Sequence, residues 1–583
     1  MAESSGSGVR VGGAEVLVVG AGPVGLTAAL ELRRQGVECR IVDRLPARLP
    51  YAKAAGGVQP RTLEVWDRMG LVRGALEAAV PMRGQYVYVD GVERERYDLV
   101  LPPEVPYGFA ALPQYETERL LEEALARHGT RIERGTVLDS FAQDPDGVTA
   151  RLTDATGARE ELRVGYLVGC DGAHSTVRKG LGLAFEGGAF PEEYMLGDVE
   201  VDWGLPEGYG LRSMRLDAAG AIADVLVCIP LPGRRRYRMS MRVPPELSPQ
   251  GFPPQGDGGT GDGIAHGLDR VDGVRAPGLA DIQAVLDRLS PQRTTATALR
   301  WASVFRISHR IVDRYGEGRV FVAGDAAHIH PPTGAQGMNT GIQDAYNLAW
   351  KLALAVDGRA SSGLLASYDA ERRPVGEEVV GRTVRHATAG GVQADPDDPV
   401  TLMLREAQLL VGYRGSPIVD PPGDGPAPRP GDRAPDCGGL VGPIAAYPVR
   451  LFDVLRDRPT VLLLYGTGYG SGGVAGRDEL AATAWRATGG RVDVHAVLPP
   501  DVPDAPHAPP GTGPIPAHRD TRGEFAARYA VDARTPTAFV VRPDGCLGAR
   551  LPAPDPDRLA AHLARVFAPA DSDPDGHPDD DQS

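Results

Sequence analysis

The chain has 583 residues with a formal net charge of −15 at pH 7, and 42% of its residues are hydrophobic. This length exceeds what one hydrophobic core supports, so two or three domains are expected. The acidic charge argues against nonspecific binding to nucleic acid or anionic membranes, and no apolar run is long enough to span a bilayer. A polar leader without a signal-peptide pattern and five scattered cysteines, without CxxC or metal-ligand spacing, predict a cytoplasmic protein with buried thiols and no metal.

A strand–turn–helix pattern opens the chain. Residues 15–19 are predicted to form a buried strand and residues 27–35 a helix. The turn between them carries three spaced glycines, Gly20, Gly22 and Gly25. This spacing allows a tight turn, close approach of a diphosphate to the helix N-terminus, and packing of the helix on the strand. A second predicted strand ends at Asp43, which is placed to accept hydrogen bonds from an adenosine ribose.

An Asp-Gly turn follows in the middle of the chain. Residues 164–168 are predicted to form a buried strand that delivers Asp171 and Gly172 to the turn. Gly172 would let a ligand approach the backbone, Ser175 would cap the next helix, and Arg178 would place a cation there. An ordinary turn is the alternative, because Asp-Gly is a common turn dipeptide.

The third motif also follows a predicted buried strand. There Gly324 precedes Asp325, which is expected to be a buried acceptor for ribityl hydroxyls. Residues 331–339 are predicted to form a rigid turn into a helix over residues 342–356. The N–H groups at such a helix start would stabilise the negative pyrimidine edge of a reduced flavin. Two glycines, Gly334 and Gly337, would keep that approach open. Together the motifs predict one extended cofactor held at both ends, which favours FAD over NAD.

Up to about residue 390 the chain resembles the single-component FAD-dependent aromatic hydroxylases of the para-hydroxybenzoate hydroxylase and phenol hydroxylase class. The resemblance rests on the three motifs, on Pro332 to Asn339, and on the segment QDAYNLAWKL at residues 343–352. The long C-terminal extension is similar to that of actinobacterial polyketide hydroxylases. The resemblance implies FAD-binding roles for Gly20, Gly22, Pro23, Val24, Gly25, Asp43, Arg44, Gln114, Asp171, Gly324, Asp325, Pro332, Gly334, Gly337, Met338 and Asn339.

The family pattern also implies where parts of the cofactor lie. Gln114 should lie near the ribityl chain, and the backbone of residues 337–339 should face the pyrimidine edge. Asp171 resembles the family acid that is linked to both FAD and nicotinamide use. One departure is Lys53, which stands where many relatives have arginine. Lysine is a point charge and cannot clamp a group bidentately, so its contact with flavin is in doubt.

The activity implied by the resemblance is hydroxylation of a phenolic, polycyclic aromatic polyketide. NADPH or NADH, binding transiently, would reduce noncovalent FAD, and O2 would form the C4a-hydroperoxide that oxygenates the ring. No catalytic base is identified, and each of His174, His309, His328 and His330 is expected to be structural. Baeyer–Villiger oxygenation, epoxidation and a noncatalytic flavin-binding protein remain as alternatives. A homodimer is one option for the assembly, with neither nucleic acid nor membrane as a partner.

The predicted fold class is α/β, with a Rossmann-type FAD-binding domain, an inserted β-sheet substrate domain and a C-terminal thioredoxin-like domain. The predicted boundaries are 1–84, 108–195 and 300–412 for the FAD-binding domain, 85–107 and 196–299 for the substrate domain, 413–435 for a linker, 436–568 for the thioredoxin-like domain, and 569–583 for a disordered acidic tail. Thr535-Pro536 stands at the usual cis-proline place of thioredoxin. Because the C-terminal piece has no CxxC, a structural or interface role is favoured over dithiol chemistry.

Overall fold

The computed structural model describes residues 14–49, 56–243, 277–388, 398–442, 444, 447–466, 474–500 and 515–569. Three sequence features lie outside the described residues: Lys53, the Pro- and Gly-rich stretch at 249–263, whose composition predicts a mobile loop, and almost all of the acidic tail. Within them, no helix is both long and apolar enough to cross a membrane. All five cysteines are free, and four of them are buried.

The helices and strands alternate along most of the chain. The helices are α1 (Pro23–Arg34), α2 (Pro60–Arg68), α3 (Val72–Ala78), α4 (Gln114–Arg127), α5 (Thr176–Gly180), α6 (Leu279–Leu289), α7 (Gln336–Val356), α8 (Ala366–Thr388), α9 (Pro399–Glu406), α10 (Leu451–Leu455), α11 (Val474–Thr488), α12 (Glu524–Arg528) and α13 (Pro556–Leu563). The strands are β1 (Val16–Val19), β2 (Cys39–Asp43), β3 (Gly57–Val58), β4 (Val80–Pro81), β5 (Gly84–Val89), β6 (Val92–Asp98), β7 (Ala110–Ala111), β8 (Ile132–Arg134), β9 (Val137–Asp144), β10 (Gly147–Thr153), β11 (Arg159–Val164), β12 (Tyr166–Gly169), β13 (Phe185–Val201), β14 (Tyr209–Leu216), β15 (Ile222–Pro230), β16 (Arg236–Arg242), β17 (Ala296–Val312), β18 (Gly316–Glu317), β19 (Val320–Val322), β20 (His328–Ile329), β21 (Leu440–Val441), β22 (Thr460–Tyr465), β23 (Val492–Leu498), β24 (Ala517–Asp520), β25 (Thr537–Val541) and β26 (Leu547–Pro552).

The chain divides into two compact units. Unit 1 comprises Met1–Ala349 and Arg372–Leu410, and unit 2 comprises Trp350–Glu371 and Val411–Ser583. Unit 1 therefore contains all of the sequence motifs predicted to bind cofactor.

Unit 1 contains a six-stranded sheet in the order β18-β19-β12-β1-β2-β8. Five of its strands are parallel, and β18 pairs antiparallel with β19. The residues of β1 are almost fully buried, as expected for a parallel strand covered on both faces. The carboxyl ends of parallel strands meet at one edge, so the loops after β1, β2, β12 and β19 lie together.

Unit 1 also contains an eight-stranded sheet in the order β20-β17-β13-β16-β15-β14-β5-β6. For its edge hairpin the short sequence period predicts strands at residues 85–89 and near residues 97–101, but the second strand is β6. Asp90 and Gly91 both have positive φ, which makes a two-residue turn, and Val89 pairs directly with Val92. The second strand therefore starts immediately after the turn.

Two helices start earlier than their sequence patterns indicate. The sequence pattern predicts a helix over residues 117–128 that opens at Thr117, but α4 begins at Gln114, so the threonine lies buried inside the helix. Helix α7 begins at Gln336 rather than at Ile342. The second shift matters because it places Gly337, Met338 and Asn339 in the first helical turn, where N–H groups lack acceptors within the helix.

Unit 2 contains a second six-stranded sheet, in the order β21-β24-β23-β22-β25-β26. The central strands β22 and β23 are parallel, whereas β25 and β26 form an antiparallel pair on the other side of β22. The sequence predicts strands at residues 460–465, 492–498, 537–541 and 547–551, but not β24, which has four residues of mostly polar character. The only cis peptide bond of the described residues joins Ala427 to Pro428, so the cis-proline prediction at Thr535-Pro536 is wrong.

The segment predicted as a linker, residues 413–435, is hydrogen bonded within unit 2. The Asp420 N–H donates to the Gly548 carbonyl at 2.9 Å, and the Gly431 N–H donates to the Leu547 carbonyl at 2.7 Å. The segment also contributes the buried Ile418 and Val419 to an apolar core of unit 2. Although it is rich in proline and glycine, the segment therefore runs along strand β26 and is hydrogen bonded to it.

A cluster of buried charges lies inside unit 2 and centres on Glu371. Arg542 donates to both carboxylate oxygens of Glu371, at 2.6 and 2.8 Å, and Lys351 donates to one of them at 2.7 Å. Ser416 donates to the other oxygen at 2.6 Å, and Arg542 also pairs with Asp544. Burial favours the neutral acid, but Arg542 and Lys351 hold the pKa of Glu371 well below its ordinary value. Each charge in the cluster is paired, as burial requires.

Candidate active site

The glycine turn after β1 is shaped by contact with the loop after β12. A Cβ atom at Gly20, where φ is +100°, would lie 2.3 Å from the Cys170 carbonyl oxygen, and a Cβ at Gly25 would lie 1.8 Å from the Gly20 carbonyl oxygen. A Cβ at Gly22 would meet nothing within 4 Å. Gly20 and Gly25 are therefore required by the protein's own packing, whereas Gly22 faces open space into which a ligand fits.

The N-terminus of α1 has the features of an anion site. No side chain caps it, Gly22 is the N-cap, and proline occupies the first turn. The nearby Asp43 carboxylate accepts N–H bonds from Ala21 at 2.6 Å and from Leu45 at 2.8 Å, which fixes the turn beside the helix. The uncapped N–H groups and the helix dipole together favour a diphosphate at this position.

The Asp171 loop is stabilised by hydrogen bonds between the Asp171 carboxylate and the start of α5. Asp171 accepts hydrogen bonds from the Ser175 hydroxyl at 2.5 Å and from the Thr176 N–H at 2.7 Å. Ser175 in turn caps α5 by accepting the Arg178 N–H at 2.9 Å, so the predicted helix cap is confirmed. The carboxylate of Asp171 is largely engaged by the protein itself.

Arg178 joins two motifs that are far apart in sequence. Its buried guanidinium donates to the Ala173 carbonyl at 2.7 Å and to the Ala326 carbonyl at 3.2 Å. It also stacks over the Phe185 ring, 3.9 Å from the ring centroid. The loop after β12 and the loop after β19 are thereby held at a fixed separation, a role that the sequence pattern indicates only as a placed cation.

The turn after β19 presents Asp325 to the cavities and not to the protein interior, which corrects the expectation of a buried acceptor. Asp325 is exposed and lines both cavities described below, and no described residue forms a hydrogen bond or ion pair with it. The reason is that a different acid supports the turn: the Gly324 N–H donates to Asp344 at 3.1 Å. Asp325 is left available to a ligand.

Asp344, on α7, is a functional residue that the sequence reasoning missed. Besides the Gly324 N–H, it contacts His328 at 2.7 Å and Arg372 at 2.7 Å. Burial favours the neutral acid, but Arg372 and His328 lower the pKa of Asp344 below its ordinary value. The signal was present in the QDAYN segment, because Asp344 is the only acidic residue of α7.

The start of α7 is held against β3 by the side chain of Asn339. Its amide nitrogen donates to the Gly57 carbonyl at 3.0 Å and to the Ala335 carbonyl at 2.7 Å, and its amide oxygen accepts the Gln59 N–H at 2.9 Å. The side chain is fully used, so only its backbone is available to a ligand. Before the helix, Gly334 and Ala335 both have positive φ, and glycine suits the first of these positions.

Gln114 and Glu118 lie one turn apart on α4 and face the first cavity. The Gln114 amide donates to the Glu118 carboxyl at 2.8 Å. Burial raises the pKa of Glu118 to about 7. Glu118 and Arg134 were not predicted as site residues, although Arg134 ends a parallel strand at the same sheet edge as Asp43.

Two cavities meet at this edge of the six-stranded sheet. The first has a volume of about 260 Å³ and runs along the glycine turn, and the second, of about 550 Å³, lies between the α7 turn and the eight-stranded sheet. The predicted site residues that line the first are Gly20, Gly22, Pro23, Val24, Asp43, Arg44, Gln114, Asp171, Asp325 and Met338. Those that line the second are Arg44, Gln114, Asp171, Asp325, Pro332, Gly334, Gly337 and Met338. Gly25, Gly324 and Asn339 line neither.

Replacing Asp325 by alanine is expected to weaken FAD binding about tenfold, because a ligand-facing acceptor for charge-assisted hydrogen bonds would be lost. Asp325→Asn, which keeps one acceptor oxygen, should lose less. Flavin titration of the deflavinated protein, followed by fluorescence quenching, measures the affinity. Asp313→Ala, an exposed acid that lines neither cavity, is the control. Unchanged affinity in Asp325→Ala would remove Asp325 from the site.

Comparison with known proteins agrees with this geometry. The family model described as FAD binding domain matches residues 13–216 and 275–383. The 6-methylpretetramide 4-monooxygenase of Streptomyces rimosus is 34% identical over 590 residues, covering 96% of this chain and 95% of that enzyme. A flavin-dependent monooxygenase of Mycobacteroides abscessus is 35% identical over 462 residues, and the alignment covers 77% of this chain and 88% of that enzyme.

A solved structure is similar over almost the whole chain. It is a ternary complex of aklavinone-11 hydroxylase with FAD and aklavinone, with a TM-score of 0.71 at 27% identity, covering 96% of this chain and 99% of that one. The glycine turn, the uncapped helix and the free Asp325 carboxylate all suit FAD. The chain therefore belongs to the FAD-dependent monooxygenases that carry this FAD-binding domain.

Proposed function

We propose that this protein hydroxylates a phenolic, polycyclic aromatic polyketide, using NADPH or NADH as reductant and O2 as the oxygen source. The observation that carries the proposal is the cavity of about 550 Å³ that opens directly onto the predicted flavin site. Its walls include many apolar side chains, and cavities of this size and character suit multi-ring ligands. The proposal is also supported by two of the proteins named above, one named as a 6-methylpretetramide 4-monooxygenase and the other as an aklavinone-11 hydroxylase bound to aklavinone.

The proposed cofactor position follows the two cavities. The glycine turn, α1 and Asp43 would hold the ADP half, and Gln114 and Asp325 would bind the ribityl chain. The first-turn N–H groups of α7 would face the flavin ring. Bound FAD supplies the redox chemistry and the activation of O2, and the protein's contribution is to position the substrate ring and exclude water.

No histidine is assigned as the base that deprotonates the phenol. His328 contacts the Asp344 carboxylate, and His330 contacts the Pro331 carbonyl at 2.9 Å through its Nδ1 atom. Both contacts fit the structural roles predicted from the sequence. We assign the same structural role to His174, which lines both cavities.

We also propose a substrate domain and a thioredoxin-like C-terminal domain as predicted from the sequence, with residues 413–435 belonging to the C-terminal domain and not forming a separate linker. The eight-stranded sheet would be the substrate domain, because its strands line the larger cavity. For a thioredoxin-like C-terminal domain, the support is the strand order β23-β22-β25-β26, with a parallel pair followed by an antiparallel pair. The described part of the chain has no CxxC, so a structural role fits this domain.

The test is a steady-state assay of NADPH and NADH consumption with two groups of compounds. Three- and four-ring phenolic quinones should stimulate consumption and gain one oxygen atom, whereas phenol and para-hydroxybenzoate should do neither. Product mass and regiochemistry would separate ring hydroxylation from Baeyer–Villiger oxygenation and epoxidation. Tight coupling of oxidation to hydroxylation for a one-ring phenol, with no turnover of any polycyclic compound, would contradict the proposal.

A further inference from the structure

The eight-stranded sheet has two chemically different faces. Met195, Leu211, Leu226, Met239 and Met241 point to one side, where they pack with α6 in an apolar core. The alternate residues of the same strands line the larger cavity. This alternation follows from the two-residue period of a strand, and it fixes which side chains a substrate meets.

A row of paired residues crosses the cavity face of this sheet. Arg212 pairs with Val227, Val227 with Ser240, and Ser240 with Leu196. All four line the larger cavity. Arg212 is therefore the single charge in a row that is otherwise apolar or neutral.

The neighbouring arginines on this sheet face have partners within the protein. Arg238 donates to both carboxylate oxygens of Asp198, and the pair is buried. Arg242 donates to the Ala223 carbonyl at 3.1 Å. Arg212 has no hydrogen-bond or ion-pair partner among the described residues, and its Nε atom is buried without an acceptor. The Nε atom of Arg242 also lacks an acceptor, but of the three cations only Arg212 has no nitrogen that donates to a described residue.

Among the described side chains, no carboxylate of the cavity compensates this charge. Three described acids line the cavity, and none of them forms an ion pair with Arg212: Asp171, Asp325 and Glu406. Asp171 is engaged by α5, and Glu406 pairs with Arg382. Burial lowers the pKa of Arg212, yet a guanidinium stays charged in proteins. Arg212 is half-buried with a buried Nε atom, and removing such an unpaired cation from water is costly unless a ligand supplies the missing anion.

Resting on the proposed function, we propose that Arg212 is a specificity-determining residue that binds an anionic oxygen of the aromatic substrate. The oxygen is a carboxylate carried by the ring system or an ionised phenol or enol. A planar guanidinium can bind a carboxylate bidentately, and it stabilises a phenolate relative to the phenol. If the anionic oxygen is an ionised phenol or enol, Arg212 would stabilise the deprotonated, electron-rich ring, and no separate catalytic base would be needed.

The first experiment compares two three-ring probes that differ only in charge, anthraquinone-2-carboxylate and anthraquinone-2-carboxamide. Binding to the FAD-loaded enzyme is measured by the change in flavin absorbance and by calorimetry. The wild-type protein should bind the carboxylate about 10- to 100-fold more tightly, as expected for hydrogen bonds to a charged group. Arg212→Gln should abolish this preference, and Arg212→Lys should keep part of it.

The second experiment uses 2-hydroxyanthraquinone, whose phenolate absorbs at longer wavelength than its phenol. The pKa of the bound phenol is read from the spectrum of the complex as a function of pH. Binding to the wild-type enzyme should lower this pKa, and Arg212→Gln should return it toward the value in solution. A lowered pKa without a preference for carboxylate would assign the anion as a phenolate, and the reverse result would assign it as a carboxylate.

The matched control is Arg215→Gln, an exposed arginine of β14 that does not line the cavity. Flavin content and the thermal midpoint of every variant verify the fold. Equal affinity of wild-type enzyme for both anthraquinone probes, with no shift of the phenol pKa, would overturn the role of Arg212 and leave the proposed function standing. Failure to bind any of the three probes would count against both proposals.

Discussion

Gly22→Ala is expected to abolish most FAD binding while leaving the protein folded. The added Cβ meets no protein atom within 4 Å, and the backbone at Gly22, with φ −78°, accommodates alanine. The methyl group would instead occupy the space in which the diphosphate approaches the α1 N-terminus. A loss of at least about tenfold in affinity is expected, measured by flavin titration of the deflavinated protein.

The contrasting variant is Gly25→Ala. Its Cβ would lie 1.8 Å from the Gly20 carbonyl oxygen, so the helix cannot stay packed against the turn. This variant should lose thermal stability even without flavin, whereas the thermal midpoint of the Gly22→Ala apoprotein should match that of wild type. Full flavin affinity in Gly22→Ala would place the diphosphate elsewhere.

Arg542→Met is expected to cost about 3–5 kcal/mol of unfolding free energy, the usual result of removing one partner from a buried ion pair. The substitution removes a cation that pairs with both Asp544 and Glu371, whereas Lys351 still pairs with Glu371. Burial already lowers the pKa of Lys351 to about 8, so this lysine is a weaker substitute for the guanidinium. Denaturant unfolding followed by tryptophan fluorescence measures the change.

Arg522→Met is the matched control for this prediction. The Arg522 side chain is 63% exposed and lies 3.5 Å from Glu524, so its loss should change the unfolding free energy by less than about 1 kcal/mol. An Arg542→Met protein as stable as the control would show that the cluster is dispensable.

Deleting the chain after Pro435 should also destabilise the protein, because the deletion removes Arg542 together with strands that cover Trp350 and Leu364 in the unit 2 core. The truncated chain should aggregate, as measured by light scattering, and should melt at a lower temperature, while its cofactor motifs remain in place.

The parts of the site that follow strand ends could be predicted from the sequence. A buried run followed by glycine, as at Gly20 and Gly324, is a local pattern, and parallel strands bring such turns to one edge. The cap by Ser175 is likewise local, since all of its partners lie within a few residues. The start of α7 was harder to predict, because its first six residues include two glycines, Gly337 and Gly341, and show no apolar periodicity.

What the sequence could not show depends on contacts between distant segments. Arg178 acts by reaching the Ala326 carbonyl, and Asp344 acts by reaching the Gly324 N–H, and neither partner is visible from local spacing. The exposure of Asp325 could not be predicted for the same reason, since it depends on Asp344 supporting the turn. The free guanidinium of Arg212 becomes visible only when the pairing of its neighbours is known.

The pairing of β1 with β12, and of β12 with β19, has a consequence for how the protein is made. During synthesis the glycine turn emerges first, but the acid that faces it, Asp325, leaves the ribosome only after most of unit 1 has been translated. A nascent chain therefore cannot bind FAD through both segments, and FAD binds only near the end of synthesis. Because a ligand that binds only the native state stabilises it by mass action, the supply of flavin affects how much folded protein accumulates. Cells starved of riboflavin should contain less of the enzyme, with most of the surviving molecules fully loaded.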